Sequence, residues 1–140
     1  MEYYEILRKK LTDPNTKDIA RSTIEKIVEK LAGKIEAQGA CIIDIENMDI
    51  LAYKTIHQVD EGWEKSVKGI SRIIYKHTAT VGIGNVEEAI IKGENGWFVL
   101  VERGGIGVVG LFSSKIDNIV LFVTATRNSA HELWNFIEST

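Results

Sequence analysis

The spacing of apolar runs in the second half of the chain limits its folding more than any other feature. Ala89-Ile90-Ile91-Lys92 and Trp97-Phe98-Val99-Leu100-Val101 flank Gly93-Glu94-Asn95-Gly96, and Gly104-Gly105 then leads into Ile106–Phe112. β-prone runs joined by so few residues must be antiparallel, because a parallel neighbour needs a crossover of about a dozen residues or more. Asn95-Gly96 predicts a tight hairpin turn. The polar segment Ser113–Asp117 predicts a further turn, into another strand over Ile119–Thr124. Earlier in the chain, Ala40–Ile45 and Ile50–Thr55 flank Glu46-Asn47-Met48-Asp49 and read as one more hairpin.

Between and around these runs the period changes to that of a helix. Residues 3–11 predict a short helix, and Asp13-Pro14 predicts a restart, since proline suits a first helical position. Ile19, Thr23, Ile27, Leu31 and Ile35, with Ile24 and Val28 beside them, form an amphipathic stripe that Gly39 is placed to end. A second helix is expected from a cap at Asp60 towards Ala79, with its main stripe on Trp63, Val67, Ile70, Ile74 and His77. A last helix is expected from Ser129 to Glu138, where Ser129 and Glu132 have capping-box spacing. The expectation is one α+β domain over residues 1–140, an antiparallel sheet of five to six strands with helices packed on it. Residues 1–16 form an N-terminal helical extension.

Charge and composition narrow the function classes. Seventeen basic and 20 acidic side chains give a net charge of −3, without the basic excess that a nucleic-acid face requires. No run reaches the roughly 18 apolar residues that span a bilayer, and the start has no signal-peptide pattern. The cytoplasm is the expected compartment. Cys41 is the single cysteine, set between Ala40 and Ile42 as a buried thiol would be.

Chemistry-bearing patterns are weak. Gly105-Ile106-Gly107-Val108-Val109-Gly110 fits the dinucleotide GxGxxG letter for letter, but β-prone Leu111-Phe112 follows where a helix should open. An acidic ribose partner about 20 residues on is also missing. A glycine-rich strand with a close neighbour is the plainer explanation. His57, His77 and His131 lie too far apart to read as a zinc site. Cys41 and Ser113-Ser114 lack an elbow or base, and Glu87, Glu88 and Glu102 read as solvated strand-end charges. No enzyme, cofactor or metal site is expected.

The second helix carries one further pattern. Gly62, Ser66, Gly69, Ile73 and Thr80 run beside its core stripe as a line of mostly small residues. An interior helical glycine costs about 1 kcal/mol relative to alanine, so Gly69 needs a compensating reason. Small residues let another backbone approach closely, either the chain's own sheet or a second copy related by two-fold symmetry.

From Ile24 to Ile137 the chain resembles the Roadblock (dynein light chain) superfamily, including its archaeal and bacterial members linked to Ras-like GTPases. The residues that carry the resemblance are the opening amphipathic helix, Gly39–Asp44 with Ile50–Tyr53, the second helix, and Val86–Val101. It implies a Roadblock-like, profilin-like order αββαβββα. It implies a homodimer formed through the second helix and a strand edge, here Gly62, Ser66, Gly69 and Ile73 with Ala89 and Ile91 on the strand. It also implies a scaffold or regulator of a small GTPase with no nucleotide site of its own. In one respect the chain departs from the family, which goes from a single strand into the last helix. Here both Ile106–Phe112 and Ile119–Thr124 are strand-like. That leaves the alternative of a profilin-like or GAF-like sensor of a small molecule, for which Trp63, Trp97 and Trp134 are the candidate aromatic lining.

Overall fold

A computed structural model describes residues 1–34, 36–55, 60–113 and 119–139. Among the described residues the elements are α1 Tyr3–Thr12, α2 Lys17–Ala32, β1 Ala37–Asp44, β2 Asp49–Thr55, α3 Trp63–His77, β3 Glu88–Lys92, β4 Gly96–Arg103, β5 Ile106–Ser113 and α4 Ile119–Glu138. The five strands make one antiparallel sheet in the order β2-β1-β5-β4-β3.

Alternation along the strands divides the core in two. Ala40, Ile42, Val99, Val101, Val108 and Phe112 point to one face, which α1, α2 and α4 cover. Cys41, Ile43, Ile45, Phe98, Leu100 and Val109 point to the other, covered by α3 through Val67, Trp63 and Ile74. Apolar residues at both parities of these strands mark a sheet buried on both faces. The result is three layers.

The order agrees with the expected α+β arrangement, with five strands and one helix longer than expected. Ile119–Thr124 is not a sixth strand but the first part of α4. Phe122, Val123, Thr126, Ser129, Ala130, Leu133, Trp134 and Ile137 form one buried stripe at helical spacing, and Phe122 stacks on Phe112 with centroids 4.4 Å apart. Ser129 is therefore a mid-helix residue and not a cap. The chain passes from one strand, β5, to the last helix, which removes the departure noted above.

Several boundaries also move. Helix α2 ends at Gly33, and Gly39 lies within β1 opposite Thr55. Ile35 lies outside the described residues. Ile19 is exposed, because the buried face of α2 begins at Ala20 and continues through Ile24, Ile27, Val28 and Leu31. Helix α3 starts at Trp63 behind Gly62, and Asp60 supplies only a backbone carbonyl, to the Trp63 N–H at 3.2 Å. Gly96 is already in β4 with an ordinary φ; a Cβ there would meet the Phe112 carbonyl oxygen at 2.4 Å.

The N-terminal helix is built into the domain. Leu7 is fully buried, the Tyr4 N–H donates to the Gly104 carbonyl at 3.0 Å, and Tyr3 donates its hydroxyl to Glu138. Arg8 bridges the buried Asp44 at 3.0 Å and Asp49 at 2.8 Å. Gly104 and Gly105 both have positive φ, and a Cβ on either would lie under 3.0 Å from Tyr3 or Tyr4. That turn needs glycine twice over, for its backbone and for α1.

Candidate protein-interaction surface

On α3, residues 63, 67, 71 and 74 follow the 3.6-residue repeat and face the sheet, with Val67 and Ser71 buried. Gly62, Ser66, Gly69 and Ile73 lie round the helix from that face. Gly62 and Ser66 are exposed, Gly69 is half-buried and Ile73 is 64% exposed. An added Cβ at Gly62 or Gly69 would find nothing within 4 Å. Packing on the chain's own sheet is thus ruled out as the reason for these small residues. Two members of the expected core stripe also face outward. Ile70 is 37% exposed, and His77 in the last turn is exposed.

Strand β3 forms one edge of the sheet. The Gly93 N–H donates to Gly96 and the Glu102 N–H to Glu87, so residues 87, 89, 91 and 93 direct their backbone groups inward. By the alternation of an antiparallel ladder, Glu88, Ile90 and Lys92 direct theirs outward. Ala89 and Ile91 lie on the α3 side, where Ala89 packs on the second core cluster and Ile91 is 42% exposed. Ile90, on the α4 side, is also exposed. The edge is therefore apolar on both faces, with Glu88 tied to Arg127 at one end and Lys92 over the Trp97 ring at the other. The opposite edge, β2, is guarded: Arg21 donates to the Leu51 carbonyl, and Leu51 packs under the α2 core. An unpaired, apolar edge is a template for another strand, and natural sheets ordinarily blunt such edges.

Sequence reasoning placed Gly62, Ser66, Gly69, Ile73, Ala89 and Ile91 together; the structure leaves the first four on one flank of α3 and the last two on the α3 side of the edge strand. It missed Ile70 and Ile90, along with Val81 and Ile83, which are highly exposed beside Gly82 and Gly84 at positive φ. The Gly-Ile-Gly pattern was the available signal for that last pair.

The remaining chemistry-bearing groups are scattered. Cys41 is sealed in the core, and burial pushes its thiol up to about 12. His131 is exposed on α4; His57 and Ser114 lie outside the described residues. Among the described residues no three His, Cys, Asp or Glu side chains are grouped as metal ligands, and no helix is long and apolar enough to cross a membrane. The glycines of Gly105–Gly110 serve close packing: a Cβ at Gly107 would meet Leu100 at 2.7 Å, and one at Gly110 would meet the Phe112 ring at 2.6 Å. Glu102 corrects the reading of solvated strand-end charges, being only 6% exposed.

No protein-family model matches the chain, and no curated protein matches it in sequence. Solved structures do. MglB of Myxococcus xanthus superposes with a TM-score of 0.71 at 14% identity, covering 84% of this chain and 96% of that one. A Roadblock/LC7 domain from Streptomyces avermitilis gives 0.67 at 9% identity, covering 82% and 98%. The gliding protein MglB of Thermus thermophilus gives 0.60 at 16% identity, covering 82% and 91%. At these identities it is the architecture that is shared, and the chain has the fold of a Roadblock/LC7 domain.

Proposed function

We propose that this chain is a non-enzymatic, cytoplasmic regulator or scaffold that forms a homodimer and docks on a small Ras-like GTPase. The observation that carries the reading is the smooth flank of α3 at Gly62, Ser66, Gly69 and Ile73, together with the open apolar edge of β3. Two copies related by a two-fold axis would pair their β3 edges and continue the sheet, with Ala89, Ile91 and the α3 flanks meeting across the seam. The likeness in fold to the MglB proteins supports a regulatory role, and one MglB structure is described as a tetrameric arrangement. The GTPase comes from the family resemblance in the sequence.

Light scattering coupled to size exclusion tests the dimer: twice the chain mass is expected at micromolar concentration, and a strict monomer overturns the reading. Replacing Gly69 with Leu is expected to leave a folded monomer. The substitution raises helix propensity by about 1 kcal/mol and its Cβ enters open space, so circular dichroism of the variant separates lost association from unfolding. Co-elution with a Ras-like GTPase from the same cell, compared between its GDP and GTP-analogue forms, tests the partner. Equal failure to bind in both forms sinks that part.

A further inference from the structure

A second candidate site adjoins the Glu88 end of β3. A cleft of about 510 Å³ opens where the β4–β5 turn, the start of α1, the C-terminal half of α3, residues 85–88 and α4 converge. That volume is within the range of sites for amino-acid-sized and larger ligands. Glu102 lines it and is nonetheless more than nine-tenths buried. One of its carboxylate oxygens, Oε1, accepts the Gly105 N–H at 2.8 Å. Among the described residues the other oxygen has no donor, and no ion pair includes Glu102. Buried carboxylates are normally paired, because an unpaired one loses its hydration without replacement.

The surrounding charges sharpen the point. Arg127 of α4 is held by Glu88, and Arg103 on the same strand as Glu102 stands 4.0 Å from Glu138 and over the Trp134 ring. Glu2 at the head of α1 and Glu87 before β3 add negative charge, and His131 of α4 is the remaining basic side chain in the lining. Tyr75 of α3 lines the same cleft, and burial pushes its hydroxyl up to about 12. The lining carries Glu2, Glu87, Glu88 and Glu102 against Arg103 and Arg127, an excess of carboxylates beside the Tyr75 and Trp134 rings that complements a positively charged organic group.

We propose that this cleft binds an organic cation, the ammonium or guanidinium of a small molecule or of a partner's side chain, with Glu102 as its counter-charge. Nothing in this assignment rests on the proposed dimer. Burial pushes the Glu102 carboxyl up to about 7, with Glu2 adding to the rise and the Gly105 N–H and Arg103 opposing it. A cation pairs with the ionised form, so binding strengthens as pH rises to about 7 and then levels off.

Titration calorimetry of the full chain with agmatine, cadaverine and an N-acetylated, C-amidated arginine tripeptide tests the site. At least one probe is expected to bind with a Kd below about 1 mM. Its affinity should fall by up to about tenfold per pH unit below the Glu102 titration. Glu102→Gln keeps an acceptor for the Gly105 N–H and folds, checked by circular dichroism. It should weaken binding by about tenfold or more and flatten the pH dependence, whereas Lys26→Gln, exposed on α2 and outside the cleft, should preserve both. Tighter binding of free agmatine would identify a small molecule as the source, and tighter binding of the tripeptide a protein side chain. No binding at about 10 mM, or equal binding by Glu102→Gln, overturns the proposal.

Discussion

Ser71 sits on the inner face of α3 with no exposure, and its hydroxyl has no hydrogen-bond partner among the described residues. A buried hydroxyl without a partner forfeits its hydration, so Ser71→Ala removes a cost along with one small atom. Chemical denaturation should show the variant between unchanged and about 1 kcal/mol more stable; a loss larger than that would reveal an unrecognised partner. Residue-level reading succeeded where neighbours in sequence are neighbours in space. Ala40 and Ile42 announce the apolar setting of Cys41. It failed at Glu102, because the cleft around that carboxylate is walled by distant parts of the chain, among them Glu2, Tyr75 and Trp134. Nothing in the local pattern Val101-Glu102-Arg103 distinguishes a sealed acid from a solvated one.

At the scale of elements, the hairpins were legible because short turns admit one pairing direction, and β1–β2, β3–β4 and β4–β5 all follow it. The first turn of α4 was not. Ile119-Val120-Leu121-Phe122-Val123 is apolar at every position, and a continuous apolar run of that length does not separate a buried strand from a helix. Packing decided it, since only a helix brings Phe122 over Phe112 and continues into the stripe that ends at Ile137. Helix α1, expected as an extension, is a structural member. Leu7 is fully buried in the main core, and Leu7→Ala should cost about 2–5 kcal/mol as a cavity-forming substitution. Thermal unfolding followed by circular dichroism measures this, and an unchanged Tm would show that α1 is dispensable.

For the whole molecule, the proposed assembly makes stability depend on concentration. A partner that binds only the folded form adds stability by mass action. The Tm of the wild-type chain should therefore rise over a hundredfold range of protein concentration, while that of Gly69→Leu stays constant. Parallel behaviour of the two proteins would remove the α3 flank from the interface.

The two borders of the sheet are unlike: Arg21 occupies the Leu51 carbonyl on β2, whereas Ile90 leaves β3 bare. Had both been bare, each added copy would offer a fresh place for the next, and the product would be a ribbon without end. With Arg21 across one border, a match at the other is the one that the described residues favour. In the proposed assembly, that asymmetry biases growth towards a closed pair rather than an open ribbon.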